Sequence, residues 1–128
     1  MYSTFHVSIG EGTLCLKGTI VKTQDGINIY IGGGKKTHIG TTVISQPRSS
    51  LTGDGSTSCT TSVLNILGHK DDEIALPIAE EICKHFKETT VVTAGIHIDK
   101  ATTQVIEKFK WYGTQIIPLI IEQLNGKK

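Results

Sequence analysis

His97 and Asp99 are the residues of this sequence whose types and spacing most directly predict chemistry. They stand in the stretch Val91–Asp99, which opens with β-branched residues typical of a buried strand. Because side chains alternate along a strand, Ile96 and Ile98 share one face while His97 and Asp99 share the other. An imidazole and a carboxylate at the mouth of a strand indicate a binding or catalytic site. The same pair also fits a surface histidine followed by Asp99 as the cap of the next helix.

The stretch Gly32–Gly40 combines three consecutive glycines with two lysines and a histidine. Glycines that follow a strand allow backbone amides to point inward, which is the nest geometry that holds phosphate-like anions. Lys35 and Lys36 add positive charge, and His38 stands beside a glycine turn at Gly40. The stretch is neither a Walker motif nor a G-x-G-x-x-G helix start. A flexible connection between two strands is the alternative interpretation.

A third candidate site is Ser62–Asp72, where a predicted strand ends in Gly68-His69-Lys70 before the N-terminus of a predicted helix. The free amides at a helix N-terminus form a natural anion site, to which His69 and Lys70 add polar and positive groups. Two aspartates on the same turn oppose an anion, so His69 and Lys70 would have to project away from them. Ordinary capping of the helix by Asp71 or Asp72 is the alternative.

Three histidines near predicted strand ends, with Asp99, have the side-chain types that bind zinc or iron. His38, His69 and His97 come from three separate segments, and the sequence contains no H-x-H or H-x-x-x-H pair. We therefore predict no metal site. A Ser/His/Asp triad likewise lacks the support of a G-x-S-x-G motif.

Composition limits the class of protein. The chain has 128 residues, which fits a single domain over residues 1–128 with a real hydrophobic core. Its formal charge is +1 and aromatic residues are sparse, which argues against a nucleic-acid surface. No apolar run approaches the ~20 residues that span a bilayer, and the first residues are unlike a signal peptide. Cys15, Cys59 and Cys83 lack metal-type spacing, so we expect reduced thiols in a cytoplasmic protein.

The first third of the chain predicts three strands in a meander. Phe5–Ile9 alternates apolar and polar residues, and Thr13–Thr23 and Ile27–Ile31 follow the same pattern. Between the second and third strands stands Asp25-Gly26, which favours a type I′ hairpin turn with positive φ at both residues.

The middle of the chain predicts two more strands. Thr41–Gln46 is expected to stop at Pro47, because proline cannot donate to a strand ladder. The following Arg48–Gly55 is predicted to be a mobile surface loop. In it, Arg48 carries a planar guanidinium suited to phosphate or carboxylate, although a solvated arginine is the commoner outcome. Ser56–Leu67 is predicted to form a fifth strand. Its first half is rich in hydroxyl groups and is expected to line a polar region, and its apolar second half is expected to lie in the core.

Two amphipathic helices frame the last strand. The first is predicted either to begin late, near Glu73, or to be kinked at Pro77, because Pro77 fits comfortably only in a first turn. The strand covers Thr89–Ile98, and we expect it to lie beside the fifth strand. The last helix runs from Thr102 to Leu124 and should bend at Pro118. The apolar stripes are Ile74, Ile78, Ile82 and Phe86 in the first helix, and Val105, Ile106, Phe109, Tyr112, Ile116, Leu119 and Ile120 in the second.

These elements predict an α+β fold in two layers: a mixed, mostly antiparallel six-stranded sheet with two helices packed on one face. The opposite face is then free to be polar or to pair with a second subunit, since an exposed apolar sheet face usually marks an interface. We expect a homodimer.

Five blocks of residues stand out by their order along the chain: His38–Gly40, Gln46–Arg48, Thr61–Val63, Gly68–Asp72 and Val91–Asp99. They resemble the prenylated-flavin chaperone family, the small D subunit that accompanies gallate-type decarboxylases. The last two blocks are long and specific. The resemblance implies a fold similar to proteasome-assembly chaperones, with subunits paired through their sheets.

The resemblance also implies a function. The protein is expected to bind prenylated FMN or FMN and to act as a cofactor chaperone or maturation subunit for a prenylated-flavin-dependent decarboxylase, without catalytic residues of its own. Two alternatives stay open. One is a metal- or histidine-assisted hydrolase that uses His38, His69, His97 and Asp99, and the other is an interaction module that uses the open sheet face. The implied cofactor-binding residues are Gly33, Gly34, His38, Gly40, Arg48, Ser62, His69, Lys70, Gly95, His97 and Asp99.

Overall fold

The computed structural model of this chain describes residues 1–66 and 71–126. Within these ranges the elements follow the predicted order, five strands, a helix, a strand and a helix. Each strand has nine residues, and the second helix is the longer of the two. The elements are β1 (Ser3–Glu11), β2 (Leu14–Lys22), β3 (Gly26–Gly34), β4 (Thr41–Ser49), β5 (Thr57–Asn65), α1 (Asp72–Phe86), β6 (Thr89–His97) and α2 (Thr103–Leu124).

The six strands form one mixed sheet in the order β1-β2-β3-β6-β4-β5. The first three strands are the predicted antiparallel meander, and β6 enters between β3 and β4. It runs parallel to β3 and antiparallel to β4. The prediction that β6 lies beside β5 is wrong, because β5 returns from β4 by a hairpin and therefore takes the outer position. The β3–β6 parallel pair brings two strand ends to the same edge of the sheet.

Both helices pack on one face of the sheet, as predicted, so the α+β fold class is confirmed. α1 lies over β4, β5 and β6, while α2 lies over β1 and β2 and contacts α1. The core between the layers holds aliphatic side chains that alternate along the central strands with exposed or half-buried ones. Its fully buried members include Leu16, Ile20, Ile29, Ile31, Val43, Val92, Ile78, Ile82, Ile116 and Ile120.

Pro47 does not end β4, contrary to the prediction. The strand continues through Arg48 to Ser49, so these two residues belong to β4 and not to the loop that follows. β4 is flanked by β6 only as far as Ser45. Beyond Ser45 one side of β4 is an unpaired edge. A proline is tolerated there, because no neighbouring strand needs a hydrogen bond from its missing amide.

The apolar end of β5 is exposed, and the prediction that it lies in the core is wrong. Val63 and Leu64 are 39% and 74% exposed, and Ile66, just beyond the strand, is 50% exposed. The reason is topological, because β5 is an outer strand of the sheet: Leu64 lies on the face away from α1, and Val63, opposite the buried Val43, is only partly covered at the sheet edge.

The β2–β3 turn also differs from its prediction. Neither Asp25 nor Gly26 has positive φ, so the turn is not type I′. Instead the amide of Thr23 donates to the Gly26 carbonyl at 2.9 Å, which places Gln24 and Asp25 at the centre of the turn.

The helices confirm most of their predicted stripes. α1 begins at Asp72, one residue before the predicted start, and Pro77 stands in its second turn. In α2, Phe109, Tyr112, Ile116 and Ile120 are buried as predicted, but Ile106 is 47% exposed because it lies at the mouth of a cavity described below. Neither helix is long and apolar enough to cross a membrane, among the residues described.

Candidate functional site

Four side chains converge at one end of the sheet, and we call them the histidine rim: His38, Asp71, His97 and Asp99. Nε2 of His97 lies 2.8 Å from Oδ1 of Asp99, and Nε2 of His38 lies 3.4 Å from Oδ2 of Asp71. The two imidazole rings meet edge to face, with centroids 6.5 Å apart. The structure thus brings together two of the three histidines singled out in the sequence, and the third, His69, lies outside the described residues.

The parallel pairing of β3 and β6 positions the rim. Gly34, the last residue of β3, is paired with His97, the last residue of β6. The chain then crosses the end of β6, because the Lys35 amide donates to the His97 carbonyl at 2.7 Å and the Gly40 amide donates to the Ala94 carbonyl at 2.8 Å. Residues 35–40 are therefore hydrogen-bonded to β6 at both ends, with His38 held between them.

Two glycines permit this close approach. A Cβ atom on Gly95 would overlap the backbone carbonyl of His38, and a Cβ on Gly40 would overlap the Asp71 carboxylate. The Tyr30 hydroxyl, on the neighbouring strand, donates a 2.7 Å hydrogen bond to the His38 carbonyl. Burial raises the pKa of Tyr30 above its ordinary value, so the phenol remains a donor at neutral pH.

Asp71 performs a role different from the predicted helix cap. It occupies the N-cap position of α1, but its side chain makes no capping hydrogen bond. Its carboxylate, only 12% exposed, instead accepts a 3.3 Å hydrogen bond from the Ile96 amide and faces His38. A carboxylate in this position ties the start of α1 to the end of β6 and supplies the His38 imidazole with a negative partner.

A basic cleft lies on one side of His97. It has a volume of about 350 Å³ and is lined by Lys36, His38, Ile39 and His97. The hydrogen bond from His97 lowers the pKa of the Asp99 carboxyl below its usual value, and the charge of Lys35 contributes in the same direction. Asp99 is therefore ionised at neutral pH. Its carboxylate can accept a hydrogen bond from Nε2 of His97, the ring nitrogen that faces it.

An apolar cavity is also lined by His97. It has a volume of about 390 Å³ and opens between the end of β6, the start of α1 and the first turns of α2. Ile74 and Phe109 form its buried floor, and Ile96 and Val105 form its walls. A cavity of this size with an apolar interior suits a small organic ligand. His97 lines both spaces, so one ligand can reach from the cavity into the cleft.

The predicted backbone nest at residues 32–34 is not formed. Gly33 and Gly34 belong to β3, where they are paired with β6, and Gly33 is also paired with Leu16 of β2. Amides engaged in a sheet ladder do not converge on an anion. Gly34 has positive φ and turns the chain towards Lys35, so its contribution to the site is geometric.

Two other predicted residues lie away from the rim. Arg48 stands seven residues along β4 from Thr41, about 24 Å at the rise of a strand, and donates a 3.0 Å hydrogen bond from Nε to Oγ1 of Thr60. Ser62 is exposed in the middle of β5, opposite Ile44. Lys70, like His69, lies outside the described residues.

Asp71 and Tyr30 are the residues that sequence reasoning missed. Asp71 belongs to the block Gly68–Asp72, but its local context favours a cap, and its contact with Ile96 spans 25 residues of chain. Tyr30 alternates with buried isoleucines as any half-exposed strand residue does. Within residues 1–66 and 71–126, no group of three or more histidine, cysteine, aspartate or glutamate side chains is arranged to hold a metal ion.

Comparisons with known proteins agree with this architecture. A family model described as the prenylated flavin chaperone LpdD-like domain matches residues 10–125. A chain in the solved structure titled "Crystal Structure of a Novel Chaperone Complex for Yeast 20S Proteasome Assembly" is similar, with a TM-score of 0.61 and 16% identity over 98% of this chain and 96% of that chain. At this identity the likeness concerns the fold alone. No match was found among curated proteins.

Proposed function

Because the chain belongs to the prenylated flavin chaperone LpdD-like family, we propose that it binds prenylated FMN and delivers it to a prenylated-flavin-dependent decarboxylase. The family assignment supports a chaperone role, and the cofactor and the partner enzyme are the specific content of the proposal. In this role the protein holds and transfers a cofactor and does not convert a substrate.

One observation carries the proposal: His97 lines both an apolar cavity and a basic cleft. A prenylated flavin has a flat ring system with an added five-carbon apolar group at one end and a phosphate at the other. The cavity supplies an apolar surface for the rings, and Lys36 and His38 supply donors for the phosphate. The imidazole of His97 lies where it can donate to, or accept from, a polar group between the two ends.

The open face of the sheet supports the proposal of a homodimer. Leu64 is 74% exposed on this face, and the half-buried Ile44 of the adjacent strand belongs to the same face. Pairing of two such faces would cover both side chains. Light scattering coupled to size-exclusion chromatography tests the homodimer. A measured mass of one chain at micromolar concentration would contradict it.

Binding is tested with the purified protein, prenylated FMN and FMN, each ligand in its oxidised and reduced forms. A ligand present at 100 times its dissociation constant adds about 2.7 kcal/mol to the free energy of unfolding, which a thermal-shift assay detects. His97→Ala should lose most of the shift. His6→Ala, an exposed histidine on the outer strand β1, is the matched control and should retain it.

Delivery is tested separately. The protein loaded with prenylated FMN should activate a gallate-type apo-decarboxylase faster than free prenylated FMN does at the same concentration. Equal activation by the free cofactor would contradict the chaperone role, and absence of any shift with prenylated FMN would contradict binding.

A further inference from the structure

The mouth of the apolar cavity is acidic. Asp71 and Glu73 both line the cavity, and Nζ of Lys110, the one lysine or arginine among the described lining residues, lies 3.3 Å from Glu73. Lys110 is also 3.7 Å from Glu107, so two carboxylates neutralise this ammonium group, and Asp71 adds a third carboxylate to the cavity lining. A phosphate is repelled from such a mouth, because like charges at short range disfavour each other.

The basic cleft has the opposite character. Lys36, His38 and His97 line it, while the Asp71 and Asp99 carboxylates contact the two imidazoles without being part of the described lining. Lys35 stands next in sequence to Lys36, with its ammonium 3.7 Å from Asp99. Ammonium and imidazole groups donate charge-assisted hydrogen bonds to phosphate oxygens. The cleft therefore favours the anionic end of an amphipathic ligand.

The interior of the cavity favours the apolar end. Ile74 and Phe109 are 8% and 4% exposed at its floor, so this surface is preformed in the core. Ile106 is 47% exposed at its mouth, which leaves an aliphatic side chain in water. A bound apolar group would remove this surface from water, and that change is favourable.

We infer that a bound prenylated flavin lies with its prenyl-bearing ring system in the apolar cavity and its phosphate in the basic cleft, with His97 between them. The inference rests on the proposed function and goes further, because it assigns a separate part of the site to the group that distinguishes prenylated from ordinary flavin. The cavity under α2 is then the determinant of cofactor choice, and Lys36 is a determinant of phosphate recognition.

Dissociation constants for riboflavin, FMN and prenylated FMN measure separately how much the phosphate and the prenyl group contribute to binding. We expect the native protein to prefer prenylated FMN over FMN by about 50-fold, from partial burial of a five-carbon group. Ile106→Asp places a charge at the cavity mouth and should reduce this preference to less than about fivefold. The site of substitution is exposed and lies in the first turn of α2, where an aspartate is compatible with the helix dipole.

Lys36→Glu should change the ratio of the dissociation constants of riboflavin and FMN, which measures recognition of the phosphate. It should abolish the preference for FMN over riboflavin and leave the preference for prenylated FMN over FMN unchanged. Leu51→Asp, at a side chain 90% exposed in the β4–β5 loop, controls for an added charge at an exposed apolar position. Lys84→Glu, in the last turn of α1, controls for charge reversal of a lysine. Neither control should change either ratio.

Each outcome has one meaning. If Ile106→Asp affects only the prenyl preference and Lys36→Glu only the phosphate preference, the orientation is supported. If the two variants exchange these effects, or if both leave the ratios unchanged while the native protein binds flavins, the orientation is overturned and the proposed function stands. If the native protein binds none of the three flavins, the proposed function and the orientation fall together.

Discussion

The Asp71 carboxylate accepts a 3.3 Å hydrogen bond from the backbone amide of Ile96, which joins the start of α1 to the end of β6. This contact links the two spaces of the site, since Asp71 lines the apolar cavity and also faces His38, which lines the basic cleft. The candidate site is therefore organised by a residue whose position in the sequence predicts only a helix cap.

Replacement of Asp71 should lower the free energy of unfolding. Asp71→Ala leaves the Ile96 amide without its acceptor and removes the charge that faces His38, so we expect a loss of about 2 kcal/mol in the free energy of unfolding. Asp71→Asn keeps an oxygen for the amide and should lose about half as much. Urea unfolding followed by circular dichroism measures both variants. An alanine variant as stable as the native protein would show that the hydrogen bond contributes nothing.

Gly95→Ala should disrupt residues 35–40 without touching the core. The new Cβ would overlap the His38 carbonyl, so the segment must move away from β6 at a cost of about 1–3 kcal/mol. Gly26→Ala is the matched control, because its Cβ would meet its nearest neighbours, Oγ1 of Thr23 and the Thr89 carbonyl, only at 3.3 and 3.5 Å. Chemical denaturation compares the two variants. Equal stabilities would contradict the close approach at Gly95.

Tyr30→Phe should change both the stability and its dependence on pH. The loss of the hydrogen bond to the His38 carbonyl should cost about 1 kcal/mol at pH 7. The pKa of Tyr30 is raised above 10.0 by burial, so its contribution to stability is complete below pH 10 and is lost as the pH rises through the higher folded-state pKa. The variant should therefore lose less stability than the native protein above pH 10.

Denaturation at pH 7 and at a series of alkaline pH values tests this expectation. Tyr2→Phe, at a side chain 70% exposed, is the control and should follow the native profile. Parallel profiles for Tyr30→Phe and the native protein above pH 10 would rule out the buried phenol as a contributor.

The Cys83 thiol should be protected in the native protein. Burial raises the pKa of this thiol to about 11, so little thiolate exists at pH 8, and the side chain is fully buried on the inner face of α1. Native-state labelling with iodoacetamide, read by peptide mass spectrometry, should modify the half-buried Cys59 well before Cys83. Modification of Cys83 at the rate seen in urea would contradict its burial.

The sequence predicts the fold well where periodicity is local. The alternation in β1, β2 and β3 and the four-residue spacing in α1 identify the elements directly, and the family resemblance is confirmed. Errors arise where neighbouring strands decide the outcome. Pro47 is tolerated because β6 stops pairing at Ser45, and the apolar end of β5 is exposed because β5 is an outer strand.

The same distinction applies to the candidate site. His97 and Asp99 can be paired from the sequence because they are two residues apart on a strand. The contacts of Asp71 with Ile96 and His38 depend on packing between distant segments, and no local pattern reveals them. The glycines at 32–34 predict an anion nest when taken alone, because the sequence does not show that β2 and β6 pair with them.

The most direct measurement is a calorimetric titration of prenylated FMN into the native chain, the His97→Ala variant and the His6→Ala variant. The His97 side chain is 47% exposed, so its replacement should leave the fold intact. We predict saturable binding at one site per chain for the native and His6→Ala proteins, with affinity at least about tenfold lower for His97→Ala. Equal affinity in all three proteins, or no saturable heat from the native chain, would contradict a cofactor site at the histidine rim.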